Sequence, residues 1–243
     1  MNSPCVLVTG ANGGLGQAIA RYFLEKNPEA FVYLGVRSNR DQADALSSEF
    51  PNRCEPLTLD VTSAEDWERA LASVTESERA INVLVNNAGH HDDHLLATMP
   101  TTAWQSVLDS NLTAAFLGCQ AVTRGMILQR FGRIINIASL SALLAPMGQA
   151  NYAAAKAGVL GMTQSFAKEV ARSGITVNSI CPGYIETPAL ADMNNDQKKA
   201  QKRTIPMRRF GQPAEVAAAV FFLASADAAY ITGAALKIDG GIF

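Results

Sequence analysis

The sequence has no excess of charge of either sign. Its 243 residues include 20 lysines and arginines against 22 aspartates and glutamates, a formal net charge of −2. Proteins that are drawn as a whole to nucleic acid or to an anionic membrane carry a strong positive charge. We therefore expect neither nucleic acid nor a membrane as a partner, and any basic docking surface has to be local.

Cysteine and long apolar runs are also scarce. The four cysteines, Cys5, Cys54, Cys119 and Cys181, are far apart, lie in apolar stretches and form no Cys-x-x-Cys pair. This pattern favours buried thiols in a reducing compartment over disulfides or a metal site. No apolar run approaches the roughly 18 residues that a membrane-spanning helix needs, and the start of the chain lacks the pattern of a secretion signal. We expect a cytoplasmic protein.

The length predicts one domain. A chain of 243 residues with 48% hydrophobic residues is long enough for one well-buried core and short for two. We found no repeat or linker, and we expect residues 1–243 to form a single catalytic domain. The polar, helix-prone stretch from Asp192 to Arg203 is interpreted as part of a lid near 188–210 and not as a domain boundary.

Short β-branched runs alternate with helical patterns along the whole chain. The candidate strands are Cys5 to Thr9, Ala30 to Val36, Glu55 to Leu59, Ile81 to Asn86, Arg133 to Ala138, Thr176 to Cys181 and Ala234 to Ile238. The candidate helices are Leu15 to Lys26, Ala64 to Thr75, Thr101 to Leu128, Tyr152 to Arg172 and Glu215 to Ser225. Apolar strands linked by helices predict a doubly wound, Rossmann-type α/β fold, with a parallel seven-stranded sheet covered on both faces.

A glycine-rich turn joins the first strand to the first helix. Glycine has no Cβ, so the backbone can turn tightly and approach a pyrophosphate, whose charge the N-terminus of a helix favours. An ordinary glycine-rich turn is the alternative, and the position after the first strand favours a dinucleotide cradle. The candidate cofactor-binding residues of the turn are Gly10, Asn12, Gly13, Gly14, Leu15 and Gly16.

The end of the second strand indicates which nicotinamide cofactor binds. NAD-binding folds usually place a carboxylate there, which bonds the ribose hydroxyls. This strand ends instead in Arg37 and Ser38, which suit an adenosine 2′-phosphate. We expect NADPH or NADP, although Arg37 could also be a solvated arginine at a strand end.

Polar residues follow the ends of several later strands, where ligands bind in open α/β sheets. Ser139 ends the fifth strand, and Tyr152 and Lys156 stand four apart at the start of a helix. On one helical face, the ammonium of Lys156 should lower the pKa of Tyr152 and make it a usable proton donor. Ser139 would then hold the substrate oxygen. Each residue alone has a plain structural explanation, as a turn hydroxyl, a core edge or a solvated charge.

Together these motifs resemble the short-chain dehydrogenase/reductase family. Thr-Gly-x-x-x-Gly-x-Gly, Asn-Asn-Ala-Gly, the serine, Tyr-x-x-x-Lys and Pro-Gly appear in the family's order and spacing over essentially the whole chain. The resemblance implies a catalytic set of Asn111, Ser139, Tyr152 and Lys156, with Asn111 supporting a proton-relay water. It also implies transfer of the 4-pro-S hydride to a carbonyl, with the phenol as proton donor and Lys156 on the nicotinamide ribose.

Further cofactor contacts follow from the same resemblance. They are Asp60, Val61, Asn87, Ala88, Gly89, Tyr152, Lys156, Pro182, Gly183, Ile185 and Thr187. Taken by itself, Asp60 could equally cap the helix that begins near Ala64.

Within the family, the segments 148–158, 182–187 and 229–234 look like those of bacterial 3-oxoacyl-[acyl-carrier-protein] reductases. This similarity implies a 3-oxoacyl thioester substrate, in fatty-acid or related polyketide or polyene synthesis, and an acyl carrier protein as partner. Because a carrier protein is acidic, Arg124, Arg130 and Arg172 at helix ends could form its docking patch, or could simply aid solubility. Reduction of another ketone, oxidation of an alcohol with NAD, and a non-catalytic NADP-binding subunit are the alternatives.

One loop departs from the family pattern. After Asn-Asn-Ala-Gly the chain continues His90, His91, Asp92, Asp93, His94. Imidazoles and carboxylates can bind metal, but adjacent loop positions rarely close a site and the family chemistry needs none, so we expect no functional metal. The loop is more consistent with substrate selection, and Leu143, Leu144 and Met147 would add an apolar wall near Ser139.

The long helices at Thr101 to Leu128 and Tyr152 to Arg172 carry apolar residues on more than one face. A second helical partner would cover them, although packing within the core is an alternative. The family resemblance implies a symmetric dimer there and a second interface at the final strand and residues 240–243, which together give a homotetramer.

Overall fold

The computed structural model describes residues 3–190 and 193–243. Seven strands form one sheet in the order β3-β2-β1-β4-β5-β6-β7, and all neighbouring strands are parallel. They are β1 (Cys5–Thr9), β2 (Phe31–Val36), β3 (Cys54–Thr58), β4 (Val83–Asn86), β5 (Gly132–Ile137), β6 (Ile175–Pro182) and β7 (Ala235–Ile238). All seven strands expected from the sequence are present, β1 with the expected bounds and the others with ends shifted by at most two residues.

Helices follow nearly every strand. They are α1 (Gly14–Lys26), α2 (Asp41–Glu49), α3 (Ala64–Glu76), α4 (Thr101–Leu108), α5 (Ala114–Gln129), α6 (Ser141–Leu144), α7 (Ala150–Val170), α8 (Asn195–Thr204) and α9 (Pro213–Ala224). The prediction of one continuous helix from Thr101 to Leu128 is wrong in one respect. A π-helical turn at Asp109–Thr113 divides this stretch into α4 and α5. The sequence pattern also missed α2, which buries only Ala43 and Leu46 and so has a weak apolar stripe.

Two hydrophobic layers enclose the sheet. Side chains of β1 alternate between them: Val6 and Val8 face the core beneath α1, α2 and α9, whereas Leu7 faces the core beneath α3, α5 and α7. Within the second layer Trp67 is 2% exposed, and its indole N–H donates to the Val61 carbonyl at 3.1 Å. Burial of one such side chain contributes about 2–3 kcal/mol, so apolar burial on both faces holds the strands in register.

The strand order places a crevice at the carboxyl end of β1. The chain proceeds outward from β1 to β2 and β3, then returns to pair β4 on the other side of β1. Such a switch point in an open α/β sheet is where ligands bind. The expected doubly wound fold is confirmed. The expected lid near 188–210 contains a 3-10 turn at Pro188–Leu190 and α8. Residues 191 and 192 of this segment lie outside the described residues. The role of the segment as a lid stays a prediction.

Candidate active site

The glycine turn is packed too closely for side chains. Gly10 has a φ of +64°, and a Cβ on Gly16 would lie 2.4 Å from the Gly10 carbonyl oxygen. A Cβ on Gly14 would lie 2.7 Å from Pro188 Cδ. The first turn of α1 therefore presents bare backbone at the crevice. Its free N–H groups and the positive end of the helix dipole fit a pyrophosphate.

Hydrogen bonds fasten this turn to the end of β4. The Thr9 hydroxyl accepts from the backbone N–H groups of Asn87 at 2.9 Å and Ala88 at 3.0 Å. The Asn87 side chain in turn donates to the Thr9 carbonyl at 2.9 Å. Asn12 behaves differently from the expectation, because its side-chain oxygen accepts from the first N–H groups of α2, at 2.9 Å from Gln42 and 3.2 Å from Ala43. Its side chain stabilises α2 at the rim of the turn.

A cavity of about 280 Å³ lies beside β1 and β2, and Gly10, Arg37, Asp60, Val61 and Gly89 contribute to its lining. Arg37 is 75% exposed and lies 3.9 Å from Asp60. Ser38 follows it in the exposed turn before α2. A mobile cation at this edge of the sheet is free to meet an anionic group.

Asp60 does not cap α3. The cap is Ser63, whose hydroxyl accepts from the Asp66 N–H at 3.1 Å. Asp60 instead accepts from the Thr62 hydroxyl at 2.7 Å, within the loop that borders the cavity. The placement agrees with the alternative in which Asp60 flanks the adenine.

A second cavity of about 310 Å³ continues past Gly89, which lines both. It contains all four side chains that the family resemblance implies as catalytic. Their cavity neighbours include several further predicted cofactor contacts: Leu15, Asn87, Gly89, Pro182, Gly183, Ile185 and Thr187. Ile137, Ala138, Tyr184 and Leu190 also line it.

Sequence reasoning did not select those last four residues. Ile137 and Ala138 immediately precede Ser139 at the end of β5, and Tyr184 follows Pro182-Gly183, so their positions beside known motifs were the available signal. Apolar residues next to a site are indistinguishable from core residues without the fold.

Lys156 is buried at the base of this cavity. Its exposed fraction is 5%, and its ammonium donates to the Ile137 carbonyl at 2.8 Å. Desolvation by burial lowers the pKa of Lys156 from 10.5 to about 8, opposed by the nearby Cys181. The ammonium lies 5.6 Å from the centre of the Tyr152 ring.

The pKa of Tyr152 departs from the sequence expectation. Burial raises it, hydrogen bonding to Ser139 opposes the rise, and the charge of Asp93 adds to it. The direction is opposite to the lowering expected from Lys156, because desolvation of the phenolate outweighs the hydrogen bond to Ser139, and Lys156 is not among the causes of the shift. The phenol is kept in its protonated form at neutral pH.

The π-helical turn explains the position of Asn111. The turn displaces the Asn111 side chain into the cavity, where its amide donates to the carbonyls of His90 at 2.7 Å and Val107 at 2.8 Å. Its side-chain oxygen is buried and has no hydrogen-bond partner among the described residues. An unsatisfied buried acceptor beside Gly89 fits a water or a ligand donor at this point of the cavity.

A chain of hydrogen bonds connects the His-Asp loop to Ser139 in the cavity. The Ser139 hydroxyl accepts from the Ser141 N–H at 3.1 Å, and the Ser141 hydroxyl donates to Gln149 at 2.9 Å. Gln149 donates to Asp93 at 2.9 Å, and Asp93 pairs with the His91 ring at 3.0 Å.

His91 also contacts the phenol ring of Tyr152. The two ring centres lie 6.0 Å apart in an edge-to-face arrangement. Among the residues in the described ranges, no group of three His, Cys, Asp or Glu side chains could hold a metal ion. The sequence marked this loop as unusual but could not reveal that Gln149, from a distant segment, completes it.

The remaining predicted residues lie elsewhere. Arg124 borders a groove of about 660 Å³ between α5 and α7, Arg130 follows α5, and Arg172 lies in the 3-10 turn after α7. These three arginines do not line the catalytic cavity. Leu144 and Met147 are exposed, at 44% and 91%, and none of Leu143, Leu144 and Met147 lines the cavity that contains Ser139, unlike the apolar wall expected from the sequence.

Comparison with known proteins identifies the family of this chain. A family model described as enoyl-(acyl carrier protein) reductase matches residues 10–242. The 3-oxoacyl-[acyl-carrier-protein] reductase FabG of Vibrio harveyi is 43% identical over 237 residues, which are 98% of this chain and 96% of that protein. The chain belongs to the short-chain dehydrogenase/reductase family. It is an oxidoreductase of the ketoreductase type in a family that uses nicotinamide nucleotides.

Two further members of the family span the chain almost completely. The FabG protein of Haemophilus influenzae is 41% identical over 243 residues, covering 100% of this chain and 99% of that protein. A solved structure described as a putative gluconate dehydrogenase from Agrobacterium tumefaciens superposes with a TM-score of 0.93 at 32% identity, over 99% of this chain and 96% of that one. Within residues 3–190 and 193–243, no helix has both the length and the apolarity to cross a membrane.

Proposed function

We propose that this protein reduces a 3-oxoacyl thioester, carried by an acyl carrier protein, to the 3-hydroxyacyl product with NADPH. The observation that carries the proposal is the convergence of Asn111, Ser139, Tyr152 and Lys156 on one cavity that continues into the glycine-turn crevice. Relatives at 40–43% identity that are named 3-oxoacyl-[acyl-carrier-protein] reductases support this choice of substrate.

The residues present fit a dinucleotide. The bare backbone at Gly14 and Gly16 would hold the pyrophosphate. The cavity beside β1 and β2, which Asp60 and Val61 help to line, would hold the adenine. Lys156, which lines the second cavity, would contact the nicotinamide ribose. When bound, the cofactor supplies the hydride that the carbonyl carbon receives.

Tyr152 supplies the proton. Its raised pKa keeps the phenol protonated at neutral pH, as proton donation to a developing alkoxide requires. The Ser139 hydroxyl, held by the Ser141 N–H, orients the substrate oxygen toward the phenol. Lys156, whose pKa is about 8, is mainly charged at pH 7 and stabilises the phenolate left after the transfer. The side-chain oxygen of Asn111, which has no hydrogen-bond partner among the described residues, positions a water. This water returns a proton to the Tyr152 phenolate.

The choice of NADPH rests on the end of β2. The strand leads into Arg37 and Ser38, with no carboxylate at the position that bonds the ribose hydroxyls of NAD. Arg37 is exposed and held only loosely by Asp60, so it can turn to an adenosine 2′-phosphate.

The wider organisation is part of the same proposal. Residues 1–243 form one catalytic domain whose lid lies near 188–210. The groove between α5 and α7, lined by Phe116, Met162 and Phe166, supports a dimer interface. The exposed edge strand β7 supports a second, which gives a homotetramer. Four buried, unpaired cysteines agree with a cytoplasmic location.

The proposal is tested by initial rates of NADPH and NADH consumption, with acetoacetyl thioesters on a small thiol and on a carrier protein. Turnover with NADPH that is faster on the carrier is expected. The variant Tyr152→Phe removes the proton donor but leaves the cradle intact, so it should bind NADPH normally and lose activity by about 100-fold or more. A near-normal rate in this variant contradicts the mechanism.

Other outcomes separate the alternatives. Turnover of other ketones, but of neither thioester, would keep the ketoreductase chemistry and reject the substrate. Preference for NADH together with alcohol oxidation would favour a dehydrogenase. NADPH binding without turnover of any carbonyl would favour a non-catalytic subunit, against which the intact set of Ser139, Tyr152 and Lys156 argues.

A further inference from the structure

Helix α8 and the turn after it concentrate positive charge. The segment 193–210 holds six of the chain's 20 lysines and arginines but only one of its 22 acids, Asp196. The six cations are Lys198, Lys199, Lys202, Arg203, Arg208 and Arg209. Since the whole chain has a net charge of −2, this segment opposes the charge of the remainder. Among the described residues, only Arg209 of the six forms an ion pair, with Glu215.

The charges are arranged at a cost to the helix. Lys198 and Lys202 stand four residues apart, as do Lys199 and Arg203, and like charges at this spacing destabilise a helix. Throughout Asn195–Thr204, all of which is described, no residue is buried. The helix is held at its start by the capping box of Asn194 with Gln197. Helix α8 therefore contributes no buried side chain, and its like charges repel one another. An anionic partner would offset this repulsion.

The position of α8 relates the charge to the substrate cavity. Tyr184 lines that cavity, and its ring centre lies 6.3 Å from the ring of Phe210. Lys202 stands over the other ring of this pair, with its ammonium 4.9 Å from the Phe210 centre. Leu190, just before the helix segment, lines the same cavity.

The cationic helix therefore lies next to residues that line the cavity of the catalytic side chains. Arg37, the candidate contact for a cofactor phosphate, lines the other cavity, beside β1 and β2. The charge on α8 is thus not needed to explain cofactor binding.

We propose that the basic face of α8, formed by the exposed Lys199 and Arg203 with the half-buried Lys198 and Lys202, docks an acidic carrier protein that delivers the acyl thioester to the cavity. This proposal rests on the proposed function for the nature of the partner. Charge complementarity selects an acidic protein, and the place of the helix beside the substrate cavity selects one that carries the substrate. Arg130 and Arg172, which follow α5 and α7, form a rival surface, whereas Arg124 lies within α5 and borders the groove between the two helices.

The test is the double charge reversal Lys199→Glu/Arg203→Glu, with Arg130→Glu/Arg172→Glu as a control of equal charge change on the rival surface. The α8 variant should lower kcat/KM for a carrier-bound acetoacetyl thioester about tenfold, mainly through KM, because surface charges of this kind act on encounter. The same substrate on a small thiol should be affected less than about twofold. The loss should shrink as salt is raised.

Binding is measured separately, so that failure of the docking surface is distinct from failure of the proposed function. A fluorescently labelled bacterial acyl carrier protein is titrated with the wild-type protein and with both variants, without turnover. Weaker binding to the α8 variant alone supports the proposal even if no thioester is reduced. Equal binding to wild type and α8 variant, or no binding to wild type, overturns it.

A neutral variant tests whether the charge reversal acts merely by unfolding α8. Lys199→Gln/Arg203→Gln removes the like-charge repulsion and keeps good helix formers, so α8 should form at least as well as in the wild type. It should weaken carrier binding by a smaller factor than the reversal. An equal loss on both substrates in this variant would mean that α8 supports the cavity and does not dock the carrier, and would overturn the proposal.

Discussion

Replacing Lys156 by methionine should stabilise the fold at neutral pH while abolishing activity. Burial lowers the pKa of Lys156 from 10.5 to about 8, a difference of about 2.5 units. At 1.36 kcal/mol per unit, holding the charged ammonium in the folded protein costs about 3 kcal/mol at pH 7. Methionine has an unbranched stem of similar length and carries no charge.

The hydrogen bond to Ile137 reduces the gain. The carbonyl that accepts from the ammonium at 2.8 Å loses its side-chain donor in the variant, which costs about 1 kcal/mol. The net stabilisation expected at pH 7 is therefore about 2 kcal/mol. Activity should fall to background, because the cation beside Tyr152 is lost.

The stability difference between the wild type and the methionine variant should depend on pH. The folded pKa lies below the unfolded one, so between about pH 8 and 10.5 the unfolded chain holds a proton on Lys156 that the folded chain lacks. Wild-type stability should therefore rise relative to the variant over that window, and the penalty is fully present below pH 8. By pH 9.5 about 2 kcal/mol of the penalty should be relieved, and the variant's advantage should be nearly gone.

Urea unfolding of both proteins at pH 7 and pH 9.5, at one fixed protein concentration, measures this difference. Lower stability of the methionine variant at pH 7 would refute the reasoning. So would an advantage of the same size at both pH values, since it would show that packing and not charge burial sets the difference.

Three other predictions concern the site. Asp93→Asn removes a charge that raises the pKa of the Tyr152 phenol, so that pKa, followed by ultraviolet absorbance as a difference from the Tyr152→Phe variant, should move down; Asp92→Asn, which is not among the causes of the shift, should leave it in place. Gly16→Ala places a Cβ 2.4 Å from a carbonyl oxygen and should weaken NADPH binding at least tenfold by calorimetry, whereas Gly125→Ala, whose Cβ would meet no described atom within 4 Å, should be tolerated. Arg37→Asp should shift the ratio of kcat/KM from NADPH toward NADH; an unchanged ratio would mean that another group binds the 2′-phosphate.

The sheet could be predicted because its signal is local and repeated. Strands such as β4, β5 and β6 are buried along their whole length, so an uninterrupted β-branched run is the pattern that this position requires. The motif residues that follow those strands were predictable for the same reason, since parallel strands bring their carboxyl ends to one edge. The family resemblance then selected Asn111, which no local pattern distinguishes.

The features that sequence reasoning missed depend on tertiary contacts. The π-helical turn at Asp109–Thr113 preserves the helical pattern on both sides and is invisible in periodicity. The direction of the pKa shift of Tyr152 depends on how far the ring is buried, which spacing to Lys156 does not encode. The link from Gln149 to Asp93 joins residues 56 positions apart in the chain.

The lining of the cavity bears on which substrate the fold serves. The proteins that resemble this chain carry names for three reactions: reduction of an enoyl group, reduction of a 3-oxoacyl group and oxidation of gluconate. A sugar acid presents many hydroxyls, and a site for it needs a matching set of polar groups. Apart from the polar groups already assigned, this cavity is bounded by Ile137, Ala138, Ile185 and Leu190, which offer no side-chain partner for such hydroxyls, and by Tyr184, which offers a single one. An acyl chain that ends in one carbonyl uses Ser139 and Tyr152 and leaves no hydroxyl unpaired. The apolar lining therefore favours the acyl substrate over the polyol, and the proton-donating phenol favours a carbonyl as the group reduced.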